Sequence, residues 1–146
     1  MLMRNIYATH TDYGDFFGLI PDNPHFVPSN VDGICERKGK FLVMEWKRPN
    51  EQVSKGQEYL IKALAKQPNF IVIIIYGDTD DETTVHKFFL VNQDGTCTKI
   101  GTSFEELKIF YKQWYERQYN KNTTTSSKRS WFKNARSAKE STRSNY

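Results

Sequence analysis

Two runs of apolar residues mark the centre of the predicted fold. Phe41–Met44 is entirely apolar and leads into Glu45-Trp46-Lys47, and Phe70–Tyr76 is a continuous, mostly β-branched run. Such runs predict strands that are covered on both faces of a sheet. Between them, Ser54 and the apolar spacing that follows predict a helix to about Lys66. A strand, a helix and a strand with short connections predict two parallel neighbouring strands.

The segments on either side add strands and a second helix. A turn at residues 37–40 predicts that the strand before it folds back antiparallel onto the Phe41 strand, and Asp94-Gly95 predicts a second hairpin. A capping residue, Ser103, predicts a helix through about Arg117. The three further predicted strands are Val31–Cys35, Val85–Val91 and Thr96–Ile100. We therefore expect an α/β fold with a mixed central sheet of four to five strands flanked by helices.

Charge divides the chain into two parts. Of its 146 residues, residues 1–119 hold 14 Lys and Arg against 16 Asp and Glu, a balance of −2. Residues 120–146 hold seven Lys and Arg against one Glu, a balance of +6, and are otherwise rich in Ser, Thr and Asn. Such a segment buries too little apolar surface to order itself. We expect an α/β domain over residues 1–119 and a basic disordered tail over 120–146.

Several features favour an intracellular protein. The longest apolar run has seven residues, far short of a membrane span, and the N-terminus lacks the pattern of a signal peptide. Cys35 and Cys97 are far apart in the chain, which favours reduced thiols. We expect a cytoplasmic protein without a membrane partner, located in the host-cell cytoplasm if it is phage-encoded.

Four polar residues stand where a purely structural sequence would favour apolar ones. Glu45 and Lys47 end the Phe41 strand and point to the same face, two residues and roughly 7 Å apart. Asp32 lies on the preceding predicted strand, and the hairpin can bring it towards Glu45. Gln57 lies at the leading end of the apolar face of the first helix. Buried charges are costly unless they have partners or a chemical role.

Metal-assisted phosphodiester hydrolysis uses side chains of these kinds. Magnesium favours one or two carboxylates, keeps several waters, and takes other ligands from substrate phosphate. The ion lowers the pKa of a bound water and neutralises charge on the phosphate. A neighbouring lysine can orient or deprotonate the attacking water, or stabilise the developing negative charge.

In this arrangement the chain resembles the PD-(D/E)XK nuclease superfamily, which includes restriction endonucleases, phage exonucleases and Holliday junction resolvases. The resemblance covers about Val31–Tyr76 and rests on Asp32, on Glu45-Trp46-Lys47 and on Gln57 in the following helix. Val31 stands where the motif has proline. Many members carry a further acid on a first helix, and here the candidates are Asp12 and, preferred, Asp15.

The resemblance implies a restriction-endonuclease-like fold and a DNA-cleaving enzyme that uses Mg²⁺ or Mn²⁺. Asp32, Glu45 and the main-chain carbonyl of Trp46 would hold the metal, and Lys47 would act on the attacking water or the phosphate. Gln57 would orient the lysine or the water. The small size is similar to that of junction-resolving or phage endonucleases, and it implies a homodimer.

The basic tail adds a predicted nucleic-acid contact. Lysine and arginine attract the phosphate backbone, and aromatic residues in the tail can stack on bases. The residues assigned to this contact are Lys128, Arg129, Lys133, Arg136, Lys139 and Arg143. DNA is the expected partner, and RNA stays open. The substrate structure, a target sequence, and endonuclease or exonuclease action also stay open.

Other interpretations of the same residues exist. The chain could be a non-catalytic nucleic-acid-binding protein on the same fold, or an enzyme acting on RNA or a small phosphoester. Asp32, Glu45 and Lys47 could form a purely structural ion-paired network. Gln57 could simply cap its helix, and Asp15 could be an ordinary surface acid. The tail could aid solubility or fold on another protein.

Overall fold

A computed structural model describes residues 13–117 of the protein. Contacts along the backbone divide the chain into two units, Met1–Asn30 and Val31–Tyr146. The described residues of the first unit are 13–30, and those of the second are 31–117. The predicted boundary at residue 119 and the basic tail lie outside the described residues, so both stay predictions.

The first unit contains a short 3₁₀ helix, Gly14–Phe16. The chain then turns, and the Gly18 N–H donates to the Pro24 carbonyl oxygen at 2.7 Å. The Phe17 ring meets the His25 ring edge-on, with 5.0 Å between their centroids. These local contacts join the two ends of the Pro- and Gly-containing segment.

The second unit contains five strands and two helices in its described residues. Within residues 13–117, no helix has the length and apolar character needed to cross a bilayer. In chain order the elements are β1 (Gly33–Arg37), β2 (Lys40–Lys47), α1 (Lys55–Lys66), β3 (Phe70–Asp78), β4 (Thr84–Val91), β5 (Cys97–Gly101) and α2 (Phe104–Arg117).

The five strands form one mixed sheet in the order β1-β2-β3-β4-β5. β2 and β3 are parallel, with Lys47 beside Tyr76, and the other three neighbouring pairs are antiparallel. This confirms the predicted α/β fold class and the predicted parallel pair on either side of the α1 crossover. The further prediction of a restriction-endonuclease-like architecture stays a prediction.

Alternation along the strands builds a core on each face of the sheet. Side chains of successive strand residues point to opposite faces. The first core packs against α2, and its buried residues are Leu42, Ile73, Ile75, Phe88, Leu90, Leu107, Phe110 and Trp114. The second packs against α1, and its buried residues are Val43, Ile61, Ala65, Val72, Ile74 and Val91. Because Glu45 and Lys47 alternate in step with Val43, they lie on the α1 face.

The β1–β2 hairpin fixes which residues of the two strands face each other. Lys38 and Gly39 both have positive φ angles, 51° and 77°. A two-residue hairpin turn of type I′ requires positive φ at both central residues. The register pairs Gly33 with Met44. β1 begins at Gly33, so the expectation that Val31 and Asp32 belong to this strand was wrong. Asp32 lies in a bend immediately before it, where the chain enters the sheet.

The β3–β4 pair carries an irregularity next to the end that bears Lys47. The register shifts between Tyr76 and Gly77, and β3 continues to Asp78, two residues beyond its predicted end. A Cβ atom on Gly77 would collide with the main-chain carbonyl oxygen of Thr84. Glycine therefore allows the two backbones to approach here, and the pairing continues past the last apolar residue of the run.

Candidate functional site

Glu45 and Lys47 are the charged residues that the described part of the chain buries. Each exposes only 5% of its surface. They end β2 on the face that α1 covers, next to the core formed by Val43 and its neighbours. An ionised group taken out of water is costly unless it is partnered. Both side chains have polar partners at this end of β2.

The ammonium group of Lys47 has three oxygen atoms around it. Its Nζ donates to Oε1 of Gln57 at 2.6 Å. Oε1 of Glu45 lies 3.6 Å away and Oε1 of Glu51 lies 3.8 Å away. The positive charge is therefore held at one position by an amide and two carboxylates.

Gln57 joins the acid and the lysine. Its Nε2 donates to Oε1 of Glu45 at 2.8 Å, while its Oε1 accepts from Lys47. The main chain of Gln57 is held separately, since its N–H donates to Oγ of Ser54, the cap of α1, at 3.3 Å. Ser54 is therefore the cap of α1, and the side chain of Gln57 contacts Glu45 and Lys47 instead of capping the helix.

Asp32 lies across from Glu45 when the register of the hairpin is extended by one residue beyond Gly33. Its Oδ2 accepts from the main-chain N–H of Trp46 at 2.8 Å. The negative charge of Asp32 also acts on the carboxyl group of Glu45. Asp32 is exposed, so the network opens to solvent on the β1 side.

The environment of Glu45 disfavours its negative charge. Burial raises the pKa of the Glu45 carboxyl above its usual range, and the negative charge of Asp32 raises it further. The ammonium of Lys47 acts in the opposite direction but does not cancel these two effects. Two acids that repel each other in a partly dry setting would be stabilised by a cation beside both.

The side chain of Trp46 lies on the α2 face of the sheet, and its main chain faces Asp32 at the edge of β2. Its indole packs against the α2 core, because it alternates with Glu45 and Lys47 along β2. The N–H and carbonyl of one strand residue point to the same edge of that strand. Since the N–H bonds to Asp32, the Trp46 carbonyl lies on the Asp32 edge as well.

Glu51 is a member of the network that the sequence analysis missed. The Glu51 N–H donates to the Arg48 carbonyl at 3.0 Å, and Asn50 has a positive φ of 74°. This is a four-residue turn with proline in the second position and asparagine in the third. Turns with a positive φ at the third position favour these two residues. The Pro-Asn pair was the signal that could have placed Glu51 back beside β2, within 3.8 Å of Lys47.

The remaining predicted site residues belong to the first unit or lie outside the described residues. Asp15 is an exposed residue of the 3₁₀ helix in the first unit, and its role as a further acid stays a prediction. Asp12 and the basic residues assigned to nucleic-acid contact lie outside the described residues. The latter are Lys128, Arg129, Lys133, Arg136, Lys139 and Arg143.

Any metal site here would combine side chains with other ligands. Among the described residues, no group of three or more His, Cys, Asp or Glu is placed to hold a metal ion. Two carboxylates, a main-chain carbonyl, water and substrate phosphate are nevertheless a ligand set that suits magnesium. Asp32, Glu45 and the Trp46 carbonyl provide the protein part of such a set.

Comparisons with protein-family models, curated proteins and solved structures find no match to this chain. The class is therefore defined by the fold and the site alone. It is a mixed α/β protein with a buried acid–amide–lysine network at the end of a central strand and a second acid at its open side. Membership of the PD-(D/E)XK superfamily stays a prediction.

Proposed function

We propose that this protein is a metal-dependent nuclease that hydrolyses DNA phosphodiester bonds, as an endonuclease on duplex or branched DNA. The observation that carries the proposal is the network that links Glu45, Gln57 and Lys47 at the end of β2, with Asp32 held beside it by the main-chain N–H of Trp46. Four residues from three separate segments converge there, although a buried network of charges is not needed to complete the core.

The two acids are the groups that would hold Mg²⁺ or Mn²⁺, together with the Trp46 carbonyl. Their mutual repulsion and the raised pKa of Glu45 support this assignment, since a cation beside both would relieve both effects. When bound, the ion supplies neutralisation of phosphate charge and a lowered pKa for a coordinated water. Asp32 is exposed, so substrate phosphate can approach from its side.

Lys47 supplies a fixed positive charge next to the acids. Gln57 and Glu45 hold its ammonium group in place, so little reorganisation is needed when negative charge develops on the phosphate. In this position the ammonium group stabilises that charge or orients the attacking water. Gln57 is a positioning residue, because it contacts both Glu45 and Lys47.

DNA as the substrate is supported by the likeness of these residues to the PD-(D/E)XK signature and by the basic tail. The tail has a net charge of +6, and positive charge attracts a phosphate backbone of any sequence. A homodimer would let two such sites cut both strands of a duplex or a junction. We propose a cytoplasmic location for this function, or the host-cell cytoplasm if the protein is phage-encoded.

A cleavage panel tests the proposal. Linear, supercoiled, single-stranded and four-way DNA, and an RNA control, are incubated with the full chain and Mg²⁺ or Mn²⁺. We expect metal-dependent cleavage of duplex or branched DNA that Glu45→Gln abolishes. Glu58→Gln is the matched control, because Glu58 is an acid of α1 that pairs with Lys62 at the surface. No cleavage of any substrate with either metal would overturn the nuclease.

A non-catalytic nucleic-acid-binding protein on the same fold is the second candidate. It is favoured by one observation: a single oxygen of Glu45 already takes contacts from both Gln57 and Lys47, so the acid has partners within the protein. For this candidate, DNA binding would persist without metal and no substrate would be cut. Cleavage of RNA alone would instead assign the site to a ribonuclease.

A further inference from the structure

A row of side chains continues from Lys47 across the sheet, beyond the four predicted site residues. The register places Lys47 beside Tyr76 on β3 and Tyr76 beside Lys87 on β4. Directly paired strand residues share one face of the sheet. Lys47, Tyr76 and Lys87 therefore form one row on the α1 face, at the same end of the sheet as the acids.

Lys87 is held in this row by aromatic rings. Its Nζ lies 4.9 Å from the centroid of the Tyr76 ring and 5.8 Å from that of Phe89. The two rings meet edge-on with their centroids 5.8 Å apart, and Tyr76 packs on the α1 core. Lys87 itself is exposed. The two rings thus lie beside the ammonium group of an exposed side chain.

The spacing suits a nucleic-acid backbone. Lys47 and Lys87 are two strand spacings apart, roughly 10 Å between backbones, and a lysine stem is flexible over several ångströms. If one phosphate of the backbone binds near Lys47 and Asp32, the neighbouring phosphates can lie along the row formed by Lys47, Tyr76 and Lys87. Lys87 is an exposed cation at the β4 end of that row.

We propose that Lys87, positioned by Tyr76 and Phe89, binds a backbone phosphate next to the one that is cleaved. This inference rests on the proposed nuclease function and extends it to a substrate track across β2, β3 and β4. Lys87 does not touch the reacting atoms in this account. Its loss should weaken substrate binding and raise KM, while kcat stays unchanged.

The test measures binding of the full chain to a fluorescent DNA duplex without divalent metal, over a series of salt concentrations. Lys87→Gln should weaken binding about tenfold, as expected for a lost charge-assisted contact. It should also reduce the slope of log K against log salt by about 0.9 for duplex DNA. Lys87→Arg should restore both quantities, because it keeps the charge.

Lys108→Gln is the matched control. Lys108 also lies over an aromatic ring, 4.8 Å from the centroid of Phe104, but on α2, on the other face of the sheet. It loses the same charge and should bind like the wild type. Equal binding and equal salt slopes for Lys87→Gln and Lys108→Gln would overturn the Lys87 contact, whether or not the protein cuts DNA.

The two proposals fail in different ways. A wild-type protein that cuts nothing, but whose salt slope depends on Lys87, would overturn the nuclease and support the phosphate contact. A protein that cuts DNA with a KM indifferent to Lys87→Gln would overturn the contact and support the nuclease. A wild-type protein that neither binds DNA in this assay nor cuts it with metal would overturn both.

Discussion

Lys47 separates the catalytic interpretation of the site from the structural one. In a nuclease, Lys47→Met removes a fixed charge that stabilises the transition state, so cleavage should fall by about 100-fold or more. The folded protein should tolerate the change, because methionine keeps the apolar stem and Gln57 still donates to Glu45. Steady-state cleavage and chemical denaturation of the same variant measure the two effects.

The structural interpretation predicts the reverse for the same variant. Removing one member of a buried ion pair then costs about 3–5 kcal/mol, since the remaining charge is left without its partner. Lys62→Met is the control, because Lys62 pairs with Glu58 on the exposed side of α1 at 2.6 Å. It should change neither cleavage nor unfolding to a comparable extent.

Glu45 should make the stability of the metal-free protein depend on pH. Its pKa is higher in the folded protein than its ordinary value of 4.5. Between those two values the folded protein holds a proton that the unfolded chain has released, so stability falls as pH rises through this interval. The free energy of unfolding of the wild type, relative to Glu45→Gln, should therefore decline with pH above about 4.5.

Denaturation with a chelator present, repeated across pH, measures this difference. It should level off once the pH exceeds the folded-state pKa of Glu45. A difference that rises with pH would mean that Lys47 dominates the environment of Glu45, and that burial and Asp32 do not.

At the scale of secondary structure, the start of α1 has two separable roles. Ser54→Ala removes the helix cap and should cost about 1 kcal/mol of stability, with cleavage largely retained. Gln57→Ala keeps the backbone N–H that donates to Oγ of Ser54, but it removes the side-chain contacts to Glu45 and Lys47. It should lower kcat by about 10-fold or more, as loss of a supporting residue does. Equal loss of kcat in both variants would contradict a positioning role for Gln57.

Strands and helices were predictable where one local signal dominated. The apolar runs defined β2 and β3, and the cap at Ser54 defined α1. The predicted strand bounds were wrong where backbone pairing with a neighbouring strand determines where the strand begins or ends. Asp32 lies just before β1 because strand pairing with β2 begins only at Gly33. β3 extends to Asp78 because Gly77 lets Thr84 approach, which an apolar pattern does not reveal.

The candidate site was also predictable only where a local sequence signal was present. Glu45 and Lys47 were visible as charges at the end of a buried run, and Gln57 as a polar residue on an apolar helix face. Glu51 was missed because it reaches Lys47 through a turn. Lys87 became a candidate only with the β3–β4 register, since 40 positions of chain separate it from Lys47.

For the whole molecule, the tail and the α/β unit should contribute different parts of substrate binding. A chain that ends at Asn120 loses all seven tail lysines and arginines. It should bind DNA more weakly and with a flatter salt dependence, because each lost phosphate contact reduces the slope by about 0.9. The cleavage rate at saturating DNA should persist, since the acids and Lys47 remain. A complete loss of cleavage at saturation would place the tail in the chemistry.

The proposed nuclease function depends most on a divalent cation held jointly by Asp32 and Glu45. Calorimetric titration of the full chain with Mn²⁺ measures this directly, using wild type, Asp32→Asn, Glu45→Gln and the surface control Glu58→Gln. We predict one ion per chain for the wild type and for Glu58→Gln, and loss of that binding in both Asp32→Asn and Glu45→Gln. Binding that survives removal of either acid, or no binding by the wild type, would contradict the shared site.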